Sequence, residues 1–139
     1  MIDYEMLIRE AVAARENSYS PYSRFMVGAA LLCASGKIYK GCNIENVAYT
    51  PTNCAERTAF FCALAAGERE FTAIAIAGWG KNKDPGRTLP CGVCRQVMME
   101  FCDPQTFLII AAAGEKDYKT FYLQELLPEA FGAGCEEIV

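Results

Sequence analysis

Apolar positions along the chain divide it into helical and extended stretches. Tyr4, Leu7, Ile8, Ala11 and Val12 recur at steps of three and four, the spacing of one helix face. Asp3 is placed as its cap, with Glu5 in the first turn where negative charge is favoured. The run Asn17-Ser18-Tyr19-Ser20-Pro21 is a stop, so this helix is expected to end at about Asn17. Phe25 to Cys33 is an apolar run of strand length, followed by the turn Ala34-Ser35-Gly36-Lys37 and a second strand from Ile38 to Gly41, together a hairpin. A helix is expected over Cys54–Ala66, closed by Gly67, and a buried strand over Phe71–Gly78. After a polar loop, Pro90 introduces a helix over Gly92–Phe101. Phe107–Ala112 reads as a fourth strand, Thr120–Leu123 as a short fifth, and Leu126 to Gly132 as an irregular tail. Helices alternating with strands after a hairpin predict an α/β fold. Its form is a three-layer α/β/α sandwich with a mixed sheet of about five strands, built as a single domain over residues 1–139.

Composition narrows the chemistry. The 139 residues are 53% hydrophobic and 22% charged, enough for a substantial core. A formal charge of −4 and the lack of any Lys/Arg run argue against nucleic acid or an anionic membrane as partner. No apolar run approaches the length of a bilayer span, and Met1-Ile2-Asp3-Tyr4-Glu5 lacks the layout of a signal peptide, so a cytoplasmic location is expected. Eight cysteines without an export signal point to metal or catalytic use for some of them. There is no histidine, which removes Ser-His and Cys-His schemes and leaves thiolates or carboxylates to hold any transition metal.

Three cysteines stand at predicted helix starts: Cys54 in Asn53-Cys54-Ala55-Glu56-Arg57, and Cys91 and Cys94 in Pro90-Cys91-Gly92-Val93-Cys94-Arg95-Gln96. A helix N-terminus favours thiolate over thiol, and three thiolates suit Zn²⁺. Cys62 and Cys102 each lie eight residues beyond a candidate ligand, about 12 Å along a helix, too far to join it. Cys33, Cys42 and Cys135 lie in other segments and stay open. Three protein ligands leave a fourth position for water, the pattern of a catalytic zinc. Glu56 has two readings: an acid/base residue beside the metal, or the distal member of a capping box from Asn53. Asn43 and Glu45, two apart in an extended stretch, point to one side and can bind sugar hydroxyls, or can be a solvated strand end.

The chain resembles the cytidine deaminases of the small, homotetrameric class with three cysteine zinc ligands. The likeness runs through Ser20-Pro21-Tyr22-Ser23-Arg24-Phe25, Val27 to Leu32, Gly41-Cys42-Asn43-Ile44-Glu45-Asn46, Thr52 to Ala59, Pro90 to Gln96 and Leu126-Leu127-Pro128 with Phe131. The Pro-Cys-x-x-Cys signature belongs to the zinc nucleobase deaminases generally. The resemblance implies hydrolytic deamination of cytidine and deoxycytidine to uridine and deoxyuridine. Zinc would be held by Cys54, Cys91 and Cys94 with a water as fourth ligand, and Glu56 would carry protons. It implies that Arg57 and Arg95 hydrogen-bond the ligand sulfurs, and that Asn43 and Glu45 hold the ribose. Phe25 would pack near the pyrimidine, and the Ala55 N–H would meet the base carbonyl. Tyr49 and Phe131 would approach the site from neighbouring subunits of a homotetramer. The tail from Gly132 to Glu137 departs from the Gly-Pro-Asp-like ending expected of the class. The alternatives are a deaminase for another cytosine nucleoside such as blasticidin S, a structural zinc protein, or a dithiol oxidoreductase.

Overall fold

The structure, a computed structural model, describes residues 1–132. Its elements are α1 (Tyr4–Arg15), β1 (Phe25–Cys33), β2 (Ile38–Cys42), α2 (Ala55–Ala65), β3 (Phe71–Gly80), α3 (Gly92–Phe101), β4 (Leu108–Gly114), β5 (Asp117–Tyr122) and α4 (Leu123–Leu126). The five strands form one mixed sheet in the order β2-β1-β3-β4-β5. Only β3 and β4 run parallel, joined by the α3 crossover; the other neighbours are antiparallel.

Alternation along the strands builds two cores. In β3, Ile74 and Ile76 face α2 and α3, together with Val27, Ala29 and Leu31 of β1 and Ile109 of β4. The intervening Ala73, Ala75 and Ala77 face α1, where Leu7, Ile8 and Ala11 meet Ala30, Leu108 and Ile110. This period of two is the ordinary consequence of the pleat. The alanine face leaves α1 close to the sheet. At Gly28 a Cβ would collide with the backbone of Ala11 and Arg15, so only glycine allows that approach.

The topology gathers several segments at one end of the sheet. β2 and β3 run in the same direction, both antiparallel to β1. Their C-terminal ends therefore lie beside the N-terminal end of β1, as the pairs Gly28↔Cys42 and Phe25↔Gly80 record. α2 follows β2 and α3 follows β3, so both helices start at that end. At Gly41 a Cβ would strike the backbone of Ala55 and Ala59, so the first turn of α2 lies directly on β2.

Two sequence expectations are corrected in detail. The first helix stops at Arg15, and β5 spans Asp117–Tyr122 rather than Thr120–Leu123. Leu123–Leu126, where the pattern predicts no helix, forms α4, a single turn in which the Tyr122 N–H donates to Glu125 Oε1 at 2.8 Å, while residues 127–132 beyond it carry no helix or strand. Four residues are too few to show a hydrophobic period. Cys135 and the tail beyond Gly132 lie outside the described residues.

Candidate active site and metal centre

Cys54 is the N-cap of α2, Cys91 the N-cap of α3, and Cys94 lies in the first turn of α3. Their Sγ atoms all lie within 4.8 Å of one another, the one such group of potential ligands among the described residues. Cys54 Sγ and Cys91 Sγ are 3.8 Å apart. Sulfurs placed tetrahedrally about 2.3 Å from a zinc would be separated by about 3.8 Å, so the thiols fit that ion. Cys62 is exposed and Cys33 is buried in the core, each away from this group.

Charge at the centre is balanced by the chain itself. Cys54 is pulled down to about 5, first by a hydrogen bond from the Cys94 thiol, against the cost of burial, and further by the Arg57 guanidinium. Cys94 is pushed up by the same shared hydrogen bond, by burial and by Glu56. The pair thus divides a proton that a divalent cation displaces. Arg57, three residues beyond Cys54 and so on the same helix face, donates from Nη2 to Cys54 Sγ at 3.1 Å. Burial works against the charge of Arg57, and hydrogen bonds to Cys54 and Cys94 outweigh it. Arg57 Nε is the one buried side-chain nitrogen or oxygen without a hydrogen-bond partner among the described residues.

Glu56 is 4% exposed. Burial is the largest influence and pushes it up to about 7, opposed by its own backbone N–H, while Cys54 adds to the rise and Arg57 resists it. A carboxyl poised near neutrality can both take and return a proton. The capping-box reading does not match the geometry, because the helix begins one residue later than that motif needs. Cys54 is the cap, and the Asn53 Nδ2 donates instead to Thr58 Oγ1 at 3.1 Å. Ala55, at the first helical position, carries an N–H with no acceptor inside the helix.

Asn43 and Glu45 are tied into the start of β1. β2 ends at Cys42, and the Asn43 side chain continues its role. Nδ2 donates to Phe25 O at 2.7 Å and Oδ1 accepts from Val27 N at 2.9 Å. The Ser18 hydroxyl also donates to Oδ1. Glu45 Oε1 accepts from the N–H groups of Tyr22 and Ser23 at 3.0 and 3.1 Å, and Oε2 accepts from the Ser23 hydroxyl. Burial raises the Glu45 pKa, yet these bonds together hold it below the usual carboxylate value. Tyr22, Ser23, Glu45, Asn46, Tyr49 and Thr52 line a cleft of about 330 Å³. Tyr49 sits there at φ 64° and is 76% exposed, a conformation uncommon for a bulky side chain.

A family model described as the cytidine and deoxycytidylate deaminase zinc-binding region matches residues 1–110. The chain belongs to this family. Among its relatives, the cytidine deaminase of Halalkalibacterium halodurans is 48% identical over 132 residues, 95% of this chain and 96% of that protein. The cytidine deaminase of Mycobacterium tuberculosis is 38% identical over 133 residues, covering 94% and 91% of the two chains. In structure, the chain is similar to cytidine deaminase from Burkholderia pseudomallei, with a TM-score of 0.84 and 48% identity over 94% of this chain and all of that one.

Within this deaminase-family fold, the structure brings Cys54, Cys91, Cys94, Glu56 and Arg57 together. Phe25, Asn43 and Glu45 form the neighbouring edge. Arg95 is placed otherwise than expected. Its Nε donates to Pro90 O and its Nη1 to Leu126 O, both at 2.7 Å, and among the described residues no sulfur is a hydrogen-bond partner. The reason is α4, whose final turn brings an unpartnered carbonyl within reach. Arg95 thus fastens the backbone just before Cys91. Phe131 is 66% exposed, with its carbonyl taken by Gln96 Nε2 at 2.8 Å. Ser18 and Ser23 were missed as organisers of this edge. Serine in a polar loop carries no periodic signal, and only the likeness of the Ser20–Phe25 stretch pointed there.

Proposed function

We propose that this chain is a cytidine deaminase. It hydrolyses cytidine and deoxycytidine to uridine and deoxyuridine, with one water consumed and one ammonia released. The observation that carries the reading is a three-thiol centre on two converging helix starts with a buried, near-neutral Glu56 beside it. Cys54, Cys91 and Cys94 would hold zinc, which when bound supplies a water of lowered pKa as nucleophile. Glu56 would take a proton from the attacking water and give it to N3 of the base, then take the remaining hydroxyl proton from the C4 adduct and pass it to the departing amine as the C4–N bond breaks. Arg57 withdraws charge from the Cys54 sulfur, which offsets the low Lewis acidity of a metal bound by three thiolates. The Ala55 N–H meets the base carbonyl and Phe25 packs near the ring. Asn43 and Glu45 hold the ribose, chiefly its 3′-hydroxyl. Arg95 supports Cys91 through the Pro90 carbonyl.

The rest of the reading extends outward from the site. The chain works as one domain in the cytoplasm on free nucleosides, with no nucleic acid and no membrane partner. Four copies assemble, and Tyr49 and Phe131 complete the sites of neighbours. No described helix is long and apolar enough to cross a membrane. The test is loss of cytidine and deoxycytidine absorbance, run alongside metal analysis. About one zinc per chain and turnover of both nucleosides are expected, and absence of both overturns the reading. Glu56→Gln should keep the zinc and lose about 10²-fold or more in kcat. Surviving activity would remove Glu56 from the chemistry.

A further inference from the structure

Arg15 is a buried cation that the chemistry above leaves unused. It ends α1 and is 6% exposed. Its Nε donates to Met26 O at 3.0 Å, and its Nη2 donates to Trp79 O at 2.9 Å and Gly80 O at 3.3 Å. The guanidinium carbon lies 4.3 Å from the Trp79 ring centroid. Among the described residues its one carboxylate partner, Glu16, is 3.5 Å away on a side chain 69% exposed. A charge buried on neutral carbonyls is costly unless its geometry is well fixed. Here it is fixed from behind, since Gly28 seats the last turn of α1 directly on β1.

One of the carbonyls Arg15 holds, Met26 O, belongs to the strand end that carries Phe25, and the other two, Trp79 O and Gly80 O, belong to the end of β3 paired with it through Phe25↔Gly80 and Met26↔Trp79. Asn43 grips the same β1 end, through Phe25 O and Val27 N. Three consecutive residues of β1 therefore each have a backbone group held by one of these two side chains. Arg15 comes from α1 and Asn43 from the segment after β2. The metal ligands lie on α2 and α3, across the sheet from α1.

We propose that Arg15 is a positioning residue for the nucleoside: with Asn43 it fixes the start of β1, and so the places of Phe25 and of the Asn43 amide. The proposal rests on the deaminase reading above. It separates two functions in space. Loss of Arg15 acts on nucleoside binding and leaves the zinc centre intact.

The experiment compares zinc-loaded wild type, Arg15→Lys and Arg15→Met for KM and kcat with cytidine, zinc per chain and Tm. A lysine keeps the charge and reaches fewer carbonyls, whereas methionine keeps apolar bulk over Trp79 and donates nothing. KM is expected to rise about tenfold or more in Arg15→Met and by less in Arg15→Lys, since small misplacements of a positioning group are costly. kcat within about twofold and unchanged zinc should accompany the rise. A fall in Tm with KM unmoved overturns the proposal, as does a joint fall of kcat and zinc. If Arg15→Met does not fold, Arg15→Lys decides alone: an unmoved KM overturns the role. Wild type without turnover instead overturns the deaminase reading itself.

Discussion

Asn43 has a spacing that marks it as a sugar-binding candidate, and in the fold its amide also closes the open edge of β1. Both are uses of one planar group with a donor and an acceptor side. Glu45 is similar: as an acceptor of two N–H groups and a hydroxyl, it anchors the Tyr22–Ser23 turn. These bonds require the carboxylate, so the folded pKa lies below the ordinary 4.5. For a depressed acid, the stabilisation is present above the unfolded pKa and is lost as pH falls through the folded value. Wild type should therefore exceed Glu45→Gln in Tm at pH 7, by about 4 °C if the bonds are worth about 1 kcal/mol. The gap should close as pH drops below about 4.5. A gap that stays constant to pH 3 in thermal unfolding would show that charge plays no part. Glu56 and the three cysteines could be named as candidates from residue type and helix-start position, but on local pattern alone Glu56 kept its capping-box reading, which fails only because α2 is capped by Cys54. The contacts of Arg95 were not legible, because one of its partners, the Leu126 carbonyl, lies on an element that no local pattern announced.

At the scale of elements, the site depends on where α2 begins relative to β2. The sequence places a helix from about Cys54 and a strand ending near Gly41, and both stand within a residue or so. What periodicity does not reveal is that Gly41 lets the first turn of α2 rest on the strand. Gly41→Ala should force that turn outward, costing about 1–3 kcal/mol. The turn carries Cys54 and Glu56, so zinc content and kcat should fall with Tm. Thermal unfolding with metal analysis checks this. Lowered Tm with full zinc and full kcat would mean that the α2–β2 contact does not set the site. Gly28 makes the equivalent contact for α1. Each glycine lies in a stretch quoted for the family likeness, Val27 to Leu32 and Gly41 to Asn46, yet neither has a positive φ. Their shared property is close approach of a helix backbone.

For the whole molecule, the apolar residues left exposed include several at or near the candidate site. Val47 is 74% exposed, Tyr49 76%, Phe131 66% and Phe25 40%. Aromatic side chains open to water beside a functional cleft are what an assembly interface covers. Light scattering should accordingly give a mass four times the 15.3 kDa chain. Tyr49→Ala and Phe131→Ala should shift it downward and raise KM together. A wild-type monomer with full activity would remove both residues from the site. Sequence alone determined the chemistry on offer: three thiols at helix starts, one adjacent carboxylate, no imidazole, and the order of helices and strands. Those are properties of residue type and of neighbours a few positions apart. Only the tertiary structure decided that Cys54 meets Cys91 and Cys94, that Arg57 and not Arg95 touches a sulfur, and that Arg15 and Asn43 grip one strand end. Each of these depends on strand order and on how closely helices sit on the sheet, and contacts between distant segments leave no mark in local periodicity.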